Sequence, residues 1–149
     1  RVFSFVKNNC NYKVKKSNSI TNSDEKLIDQ VSFLLKDLRN EMSNQNLNNY
    51  IKSVINISFL TNKYINDEEP WKLKENNIEK MNNILHLALE QIAKISILFN
   101  PIIPNATTKV LDALNIELEL RNLSFLDGRN IFTNEIKIRK LDILFRKIT

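Results

Sequence analysis

Few residues in this sequence could carry covalent or metal chemistry. Cys10 is its one cysteine and His86 its one histidine. A lone thiol builds neither a disulfide framework nor a thiolate metal site, and a lone imidazole cannot assemble a Ser/His/Asp triad. His86 sits among Leu85, Leu87 and Leu89 and reads as a histidine of a helix face or core; Cys10 reads as a bystander. A single glycine in 149 residues leaves no phosphate-cradling loop. Binding chemistry remains. Lysine and arginine number 22 against 17 acidic residues, a formal charge of +5. That balance suits a polyanionic partner, because each cation placed on a phosphate releases a counterion. The candidates for phosphate contacts are Lys13, Lys15, Lys16 and Lys63, with Arg139, Lys140, Arg146 and Lys147 in the tail. Each also fits a solvated basic face.

The elements that must position these groups read as helices. Hydrophobic residues make up 42% and charged residues 26%, ordinary values for one globular domain with a closed core. Only three prolines accompany the one glycine, and long stretches lack any breaker. Arg1 to Asn8 reads as the end of a helix whose beginning lies upstream, and Asn9 to Asn22 as a polar loop. Ser23 is the expected N-cap of the next helix, with Asp24 and Glu25 on its first turn. Leu27, Val31, Leu34, Leu35, Leu38 and Met42 form one apolar stripe along it. A second long helix is expected from about Leu47 to Ile65, with Ile51, Val54, Ile55 and Leu60 inward. Pro70 biases Glu69 away from helical dihedrals, so a turn is expected just before Trp71. A third helix from about Glu75 to Phe99 carries Ile78, Met81, Leu85, Leu89, Ile92 and Ile95, and its apolar end predicts burial on more than one side. Asn100-Pro101 stops it, and Pro104 opens a short helix ending near Leu114.

Beyond Asn115 the pattern weakens. Glu117 to Leu120 and Glu135 to Arg139 alternate, with Gly128 between them, and read as short strands or extended segments. The expected fold is all-α: an antiparallel helical bundle over 1–116, with its first helix truncated at the start, and a partly extended tail over 117–149. No apolar run reaches the roughly 18 residues of a membrane span, and the lack of a disulfide framework makes a reduced, cytoplasmic location the expectation.

The order and spacing of several motifs carry a resemblance. Phe59-Leu60-Thr61-Asn62-Lys63-Tyr64-Ile65, closing at Pro70-Trp71-Lys72-Leu73, resembles the methionyl-tRNA synthetase pattern A-N-K-Y-I-D-E-Q-x-P-W-x-L. Asn100-Pro101-Ile102-Ile103-Pro104 is similar to that family's break between helices, and Leu111 to Ile116 follows it. Ser4, Phe5, Lys7 and Asn8 match a helix further upstream. The close, Leu144-Phe145-Arg146-Lys147-Ile148, resembles the family's L-F-P-R-I ending with Arg146 in place of proline. The likeness is densest from Phe59 to Ile116 and thin in the tail.

This resemblance implies the anticodon-binding domain of a class I synthetase, without the catalytic domain. The implied partners are tRNA(Met) with its CAU anticodon and the catalytic domain of the same protein. ATP and Mg²⁺ are implied for the parent enzyme, a methionine-tRNA ligase, and no cofactor for this chain. The implied anticodon residues are Trp71, Pro70, Arg1 and Asn62. An indole can stack on an unpaired loop base, worth about 1–3 kcal/mol per base. The other reading of Trp71 is a ring that covers the end of the bundle. Arg1 matches the arginine that the family pairs with an asparagine four residues earlier to read a cytosine; that asparagine would precede Arg1. Asn62, Lys63 and Tyr64 are expected on the surface of Trp71, although Asn62 also fits a bond within the bundle and Tyr64 also fits the core. Two other readings stay open: the equivalent domain of a leucyl, isoleucyl, valyl or cysteinyl enzyme, and a helical module that binds a protein.

Overall fold

The computed structural model describes residues 1–16, 18–126 and 130–145. Its helices are α1 (Val2–Cys10), α2 (Asn22–Lys36), α3 (Leu38–Ser43), α4 (Leu47–Glu68), α5 (Ile78–Phe99) and α6 (Pro104–Ala113). Strands β1 (Lys13–Val14) and β2 (Ile136–Lys137) pair antiparallel, Lys13 with Lys137 and Val14 with Ile136. Helix α4 packs between α2 and α5, and α5 also contacts α1 and α6.

Two hydrogen-bonded tyrosines fix the direction of these helices. Tyr50, on the first turn of α4, donates to the carbonyl oxygen of Leu98 near the end of α5 at 2.7 Å. Tyr64, near the end of α4, donates to Asp24 at the start of α2. Both pairs require α4 to run antiparallel to its neighbours, as expected for a bundle. The core between them contains Leu27, Val31, Val54, Ile57, Leu85 and Leu89, all buried. The C-terminal half of α5 is buried on more than one side, with Ala93, Ile97 and Leu98 inaccessible, because α6 covers what α4 leaves open.

Local chemistry moves several boundaries. The N-cap of α2 is Thr21, not Ser23. Thr21 Oγ1 accepts the Asp24 N–H at 3.3 Å while Asp24 Oδ2 accepts the Thr21 N–H at 2.8 Å, a reciprocal capping box. The apolar stripe predicted through Met42 belongs to two helices, separated at Asp37. Helix α5 begins at Ile78, later than expected, because Asn77 accepts the Lys80 N–H at 2.9 Å and caps it there. Ile78 then lies on the first turn and is 60% exposed, and Ile55 faces outward on α4 at 40%. Pro104 occupies the first turn of α6 as the sequence suggests.

The largest corrections concern the segments read as irregular. The expected loop over 9–22 completes α1 and then supplies β1. Glu117 to Leu120 is not a strand: Leu118–Leu120 forms a 3-10 turn. The second alternating segment does become β2, and the tail contributes Leu126, Ile136 and Ile138 to the core. Gly128 lies outside the described residues.

Candidate nucleic-acid interface

The junction of α4 and α5 is built to hold Pro70 and Trp71 in one place. Helix α4 ends at Glu69 in the left-handed region (φ 46°), and the Glu69 N–H closes on the Ile65 carbonyl at 3.1 Å. A proline cannot continue the helix, and the residue before it avoids helical dihedrals. The chain therefore turns sharply into a 3-10 segment, Pro70–Lys72. Pro70 is buried, and Trp71 remains 38% exposed. Lys72 Nζ donates to Glu69 Oε2 at 2.8 Å across the turn.

Helix α1 supplies the opposite wall. The Arg1 guanidinium carbon lies 5.6 Å from the Trp71 ring centroid, within cation–π range. Arg1, Asn62, Pro70 and Trp71, four residues separated by as many as 70 positions, line a single cavity of about 510 Å³. Its remaining polar lining is Ser4, Asn8, Asn9 and Asn66, and Val2, Phe5, Ile65 and the buried Leu85 complete its apolar lining. Asn9 is partly engaged, its side-chain amide donating to the Phe5 carbonyl at 3.0 Å. The cavity thus combines an aromatic face, a fork of guanidinium donors and carboxamides that both donate and accept. None of its lining residues is acidic, so its donor set does not suit Mg²⁺, which takes carboxylate and phosphate oxygens.

The other candidates lie elsewhere. Lys63 and Tyr64 do not share the surface of Asn62. Successive residues of a helix are turned by 100°, which carries Lys63 to a separate hollow with Lys26, Asp67 and Glu68. Tyr64 is a core residue, buried against Asp24. Lys13, Lys15 and Lys16 follow α1 in and beside β1, exposed, and outside the lining of the Trp71 cavity. Lys16 Nζ donates to the Thr133 carbonyl at 3.1 Å, which ties it to the tail. Arg139 is exposed, Lys140 pairs with Asp142 at 3.3 Å, and Arg146 and Lys147 lie outside the described residues. His86 proves to be a helix-face residue with a fastening role. Its Nε2 is 2.9 Å from the Asn134 carbonyl, and its ring meets Phe132 edge-on. Burial pushes the Cys10 thiol above its usual range, with Lys74 opposing, which makes it a poor nucleophile.

Sequence reasoning missed Asn66 and Asn9 as cavity residues. For Asn66 a signal existed: it is four residues after Asn62 and so shares its helix face. For Asn9 none did, since only tertiary packing brings the end of α1 to the cavity that α4 also lines.

Comparison with known proteins decides between the open readings. The model of the anticodon binding domain of methionyl tRNA ligase matches residues 14–149. The chain belongs to that family. The methionine–tRNA ligase of Brucella suis is 26% identical over 124 residues, which cover 83% of this chain and 24% of the relative. A probable mitochondrial methionine–tRNA ligase of Dictyostelium discoideum is 30% identical over 138 residues, 85% of this chain and 24% of its own length. The methionine–tRNA ligase of Rickettsia felis is 38% identical over a shorter stretch of 80 residues, 54% of this chain and 16% of its own. The domain thus spans about a quarter of the curated relatives that it matches over most of its length. In fold it is similar to the free-state methionyl-tRNA synthetase of Mycobacterium tuberculosis, with a TM-score of 0.90 at 20% identity over 100% of this chain and 30% of that one.

Proposed function

We propose that this domain reads the CAU anticodon of tRNA(Met) and selects that tRNA for a catalytic domain of the same parent protein. The parent would be a cytoplasmic methionine-tRNA ligase, joining methionine to its tRNA through a methionyl-adenylate with ATP and Mg²⁺. That chemistry falls outside these residues, whose share is recognition.

The observation that carries the reading is the Arg1–Trp71 contact at the mouth of a cavity also lined by Asn62 and Pro70. A loop base splayed out of its stack competes with Arg1 for the indole face. The guanidinium then turns its N–H donors to the base edge, where a cytosine presents a carbonyl oxygen and a ring nitrogen as acceptors. Pro70 fixes the approach of the ring, and the asparagines offer both donor and acceptor sites for the remaining edges.

The test is equilibrium binding of an RNA stem-loop carrying CAU, read by fluorescence anisotropy. Trp71→Ala should weaken binding roughly 5- to 100-fold, in line with one lost stacking contact, with helical content unchanged by circular dichroism. Affinity should also fall as salt rises. Unchanged affinity in Trp71→Ala at low salt would remove the stacking role.

A further inference from the structure

The outer face of α4 has a use that the cavity beside Trp71 does not exhaust. Ile55, Phe59, Asn62 and Asn66 are spaced four, three and four residues apart, which places them on one stripe of a 3.6-residue helix. The stripe is opposite the buried positions Tyr50, Val54, Ile57, Thr61 and Tyr64. Two of its members, Asn62 and Asn66, line the Arg1–Trp71 cavity. The other two extend the same face by roughly 10 Å beyond Asn62, at 1.5 Å per residue. Phe59 lies on it 68% exposed, more open than Trp71 itself.

An open phenylalanine on a helix that buries five other side chains has no packing role to explain it. The charge on α4 is one-sided until its last turn, where Asp67 and Glu68 share a hollow with Lys63. From Leu47 to Ile65 the sequence of α4 contains no aspartate or glutamate, and its only charged residues are Lys52 and Lys63, both exposed. An aromatic ring between amides and lysines, continuous with a cavity that presents a second ring, is the composition of a single-strand track: stacking faces supply affinity and cations follow the backbone. A protein partner of the usual kind would call for a wider apolar patch, but the stripe offers only Ile55 and Phe59 before it turns to asparagines.

We propose that Phe59 is a second stacking platform, on which an unpaired nucleotide next to the anticodon base held at Trp71 rests, with Lys52 on the flanking phosphate. This rests on the anticodon-reading function proposed above and adds a residue and a direction to it: the loop runs back along α4 from Trp71 toward its start.

The test uses the whole chain and the CAU stem-loop, with Trp71→Ala measured alongside. Phe59→Ala and Phe59→Leu should each weaken binding roughly 5- to 100-fold, and Phe59→Tyr should keep it. The leucine variant retains apolar bulk without a flat π face, so it separates stacking from general hydrophobic contact. At 68% exposure none of the three should alter helical content or the urea midpoint. If Trp71→Ala loses affinity while Phe59→Ala and Phe59→Leu do not, the second platform is overturned and the anticodon reading stands. If Trp71→Ala also binds normally, both fail. If Phe59→Ala leaves RNA affinity unchanged and instead abolishes self-association in analytical ultracentrifugation, the face belongs to a second copy of the chain, and the proposal is likewise overturned.

Discussion

The Tyr64 hydroxyl donates to Asp24 Oδ1 at 2.5 Å, which ties the end of α4 to the start of α2. The other carboxylate oxygen accepts the Thr21 N–H at 2.8 Å and the Asn83 side-chain amide of α5 at 2.7 Å. One buried carboxylate therefore joins three helices. Because each of its donors is short and Asp24 is only 2% exposed, removing a donor leaves a charge that water cannot reach. Tyr64→Phe should destabilise the fold by about 1.5–3 kcal/mol, read from urea unfolding followed by circular dichroism. A loss below about 0.5 kcal/mol would show that the junction contributes little.

The same contact gives an alkaline limit. Burial first, and then the hydrogen bond to Asp24, push the Tyr64 hydroxyl far above the ordinary tyrosine range; burial raises Tyr50 as well. In the unfolded chain both groups lose their protons near pH 10. Above that pH the folded state holds more protons than the unfolded one, so stability declines as pH rises, and it is intact below. The melting temperature should be unaffected by these groups up to about pH 9 and should fall beyond about pH 10. The decline should be shallower in a Tyr50→Phe, Tyr64→Phe double variant when each protein is compared with its own value at pH 8.

The identity of the α2 cap is open to direct measurement. Thr21→Ala should cost about 0.5–2 kcal/mol, since it leaves the Asp24 N–H without its acceptor. Ser23→Ala, at an exposed position inside the first turn, should change stability by less than about 0.5 kcal/mol. Equal effects from the two would contradict the capping box.

Glu90 fastens the tail. Its two carboxylate oxygens accept the N–H groups of Ile131 and Phe132 at 2.7 and 3.0 Å, with Lys94 3.5 Å away. An amide retains only one acceptor oxygen and no charge, so Glu90→Gln should release at least one of these bonds. Hydrogen exchange should speed up at Ile131 and Phe132 and leave the Tyr50–Leu98 junction protected. Uniform acceleration across the bundle would mean that the tail does not open on its own.

How far the sequence reached depended on how local each cause was. The 3.6-residue stripes located α4 and α5 to within a few residues, since their inward faces repeat along the chain. Pro70 and Pro104 marked the turns because a missing N–H acts where it stands. Caps were less legible: Thr21, Ser23 and Asp24 are all capable residues, and the choice rests on which side chain meets which N–H. Strand β1 was invisible in a lysine-rich segment because its pairing partner, Ile136–Lys137, is more than 120 positions away. Leu118–Leu120 alternates like a strand but has none to pair with among the described residues, and it folds into a 3-10 turn.

The sequence by itself determined the helical class, the Pro70–Trp71 corner and the family resemblance, since each is written in neighbouring residues. Only the tertiary structure decided which polar groups meet. It set Arg1 over Trp71, brought Asn62 and Asn66 to their cavity and turned Lys63 away from it. The reason is geometric: helix period fixes the face that a residue shares, but only the packing of α1 and α4 on α5 fixes what that face meets.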